Sequence, residues 1–105
     1  MTDRNSLRDL EERHDEARTA VRRRIETADE RLMHYRSQMN AMRETFHGVA
    51  VQRGVADDPG FRLAFEQVSH DYDEHIREGV RVLGELQDEY DALTREQQNE
   101  REGLS

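Results

Sequence analysis

At 105 residues the chain is one domain by length, and 33% hydrophobic against 38% charged residues is too lean for a thick globular core. A net charge of −8 argues against general nucleic-acid binding, which depends on neutralising phosphates. The absence of cysteine removes disulfides, thiolate metal sites and thiol nucleophiles, and no apolar run approaches the roughly 20 residues that span a bilayer.

From the N-terminus, Met1 to His14 is densely charged and lacks an apolar core region, so the stretch does not read as a secretory signal peptide. A first helix is expected over about residues 3–50. Thr2 or Ser6 could cap it, and Ser6 with Asp9 resembles a capping box in which Asp stands for Glu. Its apolar stripe is Leu7, Leu10, His14, Ala17, Val21, Ile25, Ala28, Leu32, Tyr35, Met39, Met42, Phe46 and Val49. Nearly every step is three or four residues, which marks one face of a helix.

A turn is expected over about residues 51–58, signalled by Gly48 before it and by Asp58 and Pro59 at its end. Asp58 suits the cap of a second helix, Pro59 its first position, and Asp57 the positive end of its dipole. That helix is expected over about residues 59–101, with Gly103 as a stop. Its stripe is Phe61, Phe65, Val68, Tyr72, Ile76, Gly79, Leu83, Leu86, Tyr90, Leu93, Gln97 and Leu104. The chain therefore reads as all-α, a single antiparallel two-helix hairpin of coiled-coil character.

Folding one stripe onto the other pairs Phe46 with Phe65, Met39 with Tyr72, Leu32 with Gly79, Ala28 with Leu83 and Val21 with Tyr90. His14 falls opposite Gln97 and opposite no acid, and Arg22 to Arg24 fall near Glu85, Asp88 and Glu89. Large residues meet small ones at several levels, as interdigitated packing prefers. Phe46, Phe61, Phe65 and Val68 are the expected core of the packed end. Charge supports the pairing: residues 1–53 hold 11 Arg and 10 acids, whereas 54–105 hold 5 Arg and 14 acids.

A lone hairpin buries little, and several apolar residues lie off the stripes. Val51, Val55, Leu63 and Val80 are the expected partner face, through which a three- or four-helix bundle would be completed. Glu11-x-x-His14, Glu44-x-x-His47 and His70-x-x-x-Glu74 have metal-ligand spacing, but the two His motifs of the first helix lie at opposite ends of the hairpin. No metal, cofactor or catalytic residue is expected. There is no phosphate loop and no nucleophile elbow.

Two helices of about 45 residues around a central turn, an acidic balance and Phe46-His47-Gly48 resemble the small helical hairpins of type VII secretion systems, whose WXG-type members carry Trp-x-Gly at the turn. The run Phe61 to Arg101, with Leu83-Gly84-Glu85-Leu86 and Tyr90, looks like the small partners of LXG-type toxins. The family's Tyr-x-x-x-Asp/Glu export signal is missing, since Thr94 follows Tyr90 at that spacing. The resemblance implies a non-enzymatic adaptor or chaperone that binds the helical N-terminal domain of such a toxin. It further implies a cytoplasmic protein, or one exported with its partner without a signal peptide. The alternatives are a homodimeric structural coiled coil and, more remotely, a ferritin-like metal-binding bundle.

Overall fold

The structure, a computed structural model, describes residues 4–104, with side chains from Ser6 onward. Two helices make it up: α1, Arg4–Gln52, and α2, Pro59–Leu104, with no strand among the described residues. The fold is the all-α helical hairpin that the two stripes imply. Thr2 lies outside the described residues. Ser6 lies inside α1 and so does not cap it, and Gly103 lies inside α2 and so does not stop it.

Gly48 is a further correction: it belongs to α1, not to the turn. An exposed helical glycine costs only about 1 kcal/mol relative to Ala, too little to end a helix whose next residues still pack. Two positions later Ala50 is among the most buried side chains of the chain, and its burial carries α1 onward.

The turn is built from two caps back to back. Gly54 adopts a φ of +71°, the left-handed conformation that only glycine enters without strain. Around it the Gly54 amide donates to the Val51 carbonyl at 3.1 Å and the Val55 amide to the Ala50 carbonyl at 2.9 Å. This pair of bonds is a Schellman motif, which satisfies the last carbonyls of α1 and places apolar Val55 where such motifs carry a hydrophobic contact. Three residues on, Asp58 Oδ1 accepts from the Phe61 amide at 3.1 Å, with Pro59 first in the helix. Asp58 and Pro59 thus do what their residue types predict.

Contacts divide the chain into two compact units, each an antiparallel pair of helical segments. The terminal unit comprises the described residues up to Asp29 with those from Val82 onward, and the turn-side unit residues 30–81. In the terminal unit Leu10, Val21 and Leu86 are buried, together with two polar side chains, His14 at 5% exposure and Gln97 at 3%. The Gln97 amide donates to the His14 carbonyl at 2.9 Å, as the expected pairing requires. His14 Nε2 also meets Glu100 at 3.0 Å, so an acid does face this histidine, one helical turn beyond Gln97. Arg24 pairs with Glu89 at 2.9 Å, while Arg22 reaches the Tyr90 hydroxyl at 3.1 Å and leans over its ring. Such exposed pairs contribute roughly 0–1 kcal/mol each and serve mainly to favour one register.

The turn-side unit is held differently. Tyr72 and Ala50 are its buried apolar side chains, and a ladder of π contacts fills the seam. Phe61 stacks on Phe65, Tyr35 stacks on Tyr72 at 5.8 Å, and Tyr35 meets His75 edge-on at 5.5 Å. Arg43 bridges the two halves of the ladder, its guanidinium 5.8 Å from the Phe65 ring and 5.2 Å from the Tyr72 ring. Leu32 packs against Gly79 so closely that a Cβ there would stand 2.7 Å from Leu32 Cδ1. The small-against-large match at this level is real.

Candidate helix-docking surface

Around the turn several large apolar side chains stay exposed. Phe46 is 57% exposed and Val68 38%, which corrects their expected place in the core. Only Phe61 and Phe65 of that set are half-buried and in mutual contact. The partner of Phe65 across the seam is not Phe46 but Arg43 and His47, whose ring lies 6.1 Å from that of Phe65. Two helices cover only a narrow strip of each other, so a side chain one position off the seam is left half in water.

Helical phase then sorts the exposed residues. At 100° per residue, Met42, Phe46 and Val49 fall within about 60° of one another on α1, and Ala64 and Val68 within about 40° on α2. Viewed from its own N-terminus, each strip lies anticlockwise of its seam. Because the two helices run antiparallel, both strips project to the same side of the unit. All five residues are exposed. The opposite side carries polar groups: Asn40, Arg43 and His47 on α1 and Ser69 on α2. Arg43 Nε and Ser69 Oγ there are buried without a hydrogen-bond partner. Beside the turn the unit therefore has an apolar side and a polar side; farther along α2, exposed Val80 falls on the polar side and exposed Asp71 and His75 on the apolar side.

The four residues expected to form the partner face are all exposed, Leu63 the most at 69%. They do not share one patch. Val51, Val55 and Leu63 cluster about the turn on its outward faces, whereas Val80 stands seventeen residues along α2 from Leu63, roughly 25 Å at 1.5 Å per residue. The strip of Met42, Phe46, Val49 and Val68 was hidden in the sequence because these residues belong to the stripes and read as core.

No known protein family, curated protein or solved structure matches the chain. The surface itself must carry the functional argument. Among the described residues no three His, Asp or Glu side chains converge as metal ligands would. His70 meets Glu74 at 3.1 Å in open solvent, and His14 meets Glu100 alone, neither pair joined by a third donor. No described helix is long and apolar enough to cross a membrane. A groove along α2, lined by Asp71, Glu74, His75, Arg77, Glu78 and Arg81, is open and polar. Its strongest interaction is internal: Arg81 hydrogen-bonds Glu78 and holds that carboxyl below the usual range, first through the hydrogen bonds and then through charge.

Proposed function

We propose that this chain is a helix–helix binding adaptor that completes a three- or four-helix bundle with another polypeptide through its turn-side unit. The observation that carries this reading is the imbalance about the turn. Between Met42 and Val68, seven large apolar side chains are exposed (Met42, Phe46, Val49, Val51, Val55, Leu63 and Val68) while Ala50 alone of the apolar side chains there is buried. Scattered surface apolars need no explanation, but a concentration of this kind beside a thin core marks an interaction surface. Full burial of a wholly exposed side chain of this kind is worth about 1.5–3 kcal/mol. These seven, already partly covered, each have about half of that to gain, so covering the whole set would rival the stability of a small domain.

The partner that fits the aromatic-x-Gly at Phe46-His47-Gly48, the paired long helices and the acidic α2 is the helical N-terminal domain of an LXG-type toxin. In that role the chain would shield the toxin's helices and present them to a type VII secretion machine, remaining in the cytoplasm or leaving with its cargo. Two experiments test the two levels separately. Circular dichroism of the dilute isolated chain tests bundle completion: a low-melting chain whose Tm climbs with concentration or with a partner supports it. A dilute monomer that is fully helical and melts cooperatively at high temperature refutes it. Co-expression with the helical domain of an LXG-type toxin tests the finer reading. A stoichiometric complex lost on Leu63→Asp or Val55→Asp supports it; no complex, or one indifferent to both changes, refutes it.

A further inference from the structure

We propose that the apolar side of the turn-side unit is covered by a second copy of this chain, related by a twofold axis parallel to the helices. The inference rests on the bundle-completion reading and names the occupant of one surface within it. Four observations converge. The strip of Met42, Phe46, Val49, Ala64 and Val68 gathers on one side of the unit, as a flat two-helix face that another helix pair can cover.

The strip is also self-complementary. Contacts across the seam join residues whose numbers add to about 111, as Leu32 with Gly79 and His47 with Phe65 do, so Phe46 and Ala64 stand at nearly the same level. A twofold axis along the helices keeps that level and sets α1 of one copy over α2 of the other. The projecting Phe46 of each copy then lies over the small Ala64 of its mate, with Val68 beside it. Large over small is how facing layers interdigitate.

Charge selects the same arrangement. Residues 30–81 hold 7 Arg and 9 acids, close to neutral, so this unit does not repel its copy. By phase, Arg31 stands on the α1 rim of the apolar side and Glu78 on the α2 rim at nearly the same level, and the twofold axis sets each against the other in the mate. A perpendicular axis would instead stack α2 on α2, and the α2 half of this unit, residues 54–81, holds 7 acids and 3 Arg. Finally, Val51 and Leu63 point away from this side and stay open for a further partner.

The test uses light scattering after size exclusion, with helicity followed by circular dichroism. Wild-type chain should run at twice its chain mass over a wide dilution range. Phe46→Glu and Val68→Glu should each shift it toward the monomer mass and weaken self-association at least tenfold. Because both side chains are already substantially exposed within the single chain, these variants should remain helical at high concentration. Ser37→Glu, at an exposed polar position on the outward side of α1, should stay dimeric and controls for added charge. A dimer that survives both Phe46→Glu and Val68→Glu overturns the proposal. A monomeric wild type overturns it too; if that monomer is poorly folded, bundle completion stands with a different occupant, and if it is stable, both readings fall.

Discussion

Replacing Gly79 with Ala probes a close approach between the helices of the turn-side unit. Two effects oppose each other. Ala in place of Gly in a helix interior stabilises by about 0.8–1 kcal/mol. Against this, the new Cβ would stand 2.7 Å from Leu32 Cδ1, so Leu32 must move. Overpacking typically costs about 1–3 kcal/mol, and here the low end applies, because Cδ1 is the tip of a flexible side chain that is only half-buried. The two effects nearly cancel, and Gly79→Ala should leave stability within about 0.5 kcal/mol of wild type. Gly84 supplies the reference: a Cβ there meets nothing within 4 Å, so Gly84→Ala keeps the whole gain. For a domain of this size that gain raises Tm by about 4–8 °C. The assay is a set of thermal melts at one fixed chain concentration, with Gly79→Ala made in both wild-type and Leu32→Ala backgrounds. Without the Leu32 side chain, Gly79→Ala should stabilise as much as Gly84→Ala, a coupling of about 1 kcal/mol. Equal stabilisation by Gly79→Ala and Gly84→Ala with Leu32 in place would refute the close approach.

Three further outcomes follow from the turn and from the ion pair on α2. Gly54→Ala should destabilise by about 1–2 kcal/mol through its positive φ, and Gly54→Asn by less, both read from urea midpoints. Asp58→Ala should cost about 1 kcal/mol by freeing the Phe61 amide, whereas Asp58→Asn should retain most of the cap; equal losses for the two would show that the cap bond is not made. Glu78 has its carboxyl depressed in the folded chain by Arg81, so its contribution is present at neutral pH and disappears as pH falls through the carboxylate range. Glu78→Gln should therefore flatten part of the acid-side fall in Tm, and an unchanged profile would show that the pair contributes nothing.

The turn was the most legible part of the chain. Asp58 and Pro59 start α2 because their chemistry acts on the nearest amides, and no distant packing is needed. Levels along the seam were legible as well: once the turn is placed, Leu32 must meet Gly79 and His14 must meet Gln97. The exposed apolar strip was not. Met42, Phe46 and Val49 continue the stripe of α1 at seven-residue spacing, and nothing in their types distinguishes them from core. The π ladder was illegible for the converse reason, since Arg43 looks like a surface residue and only its two flanking rings make it part of the seam.

Sequence alone determined that there are two helices, where they reverse and which levels of one oppose which levels of the other. These depend on local capping, on periodicity and on counting from a single turn. Only the tertiary structure decided which of two adjacent phases faces the seam beside the turn. A strict seven-residue stripe drifts by about 20° per heptad around a straight helix. By the level of Phe46 and Val49 that drift has carried the stripe toward one side, and Ala50 and Arg43 occupy the seam instead. The apolar side chains left beside it form the surface on which the proposed function rests.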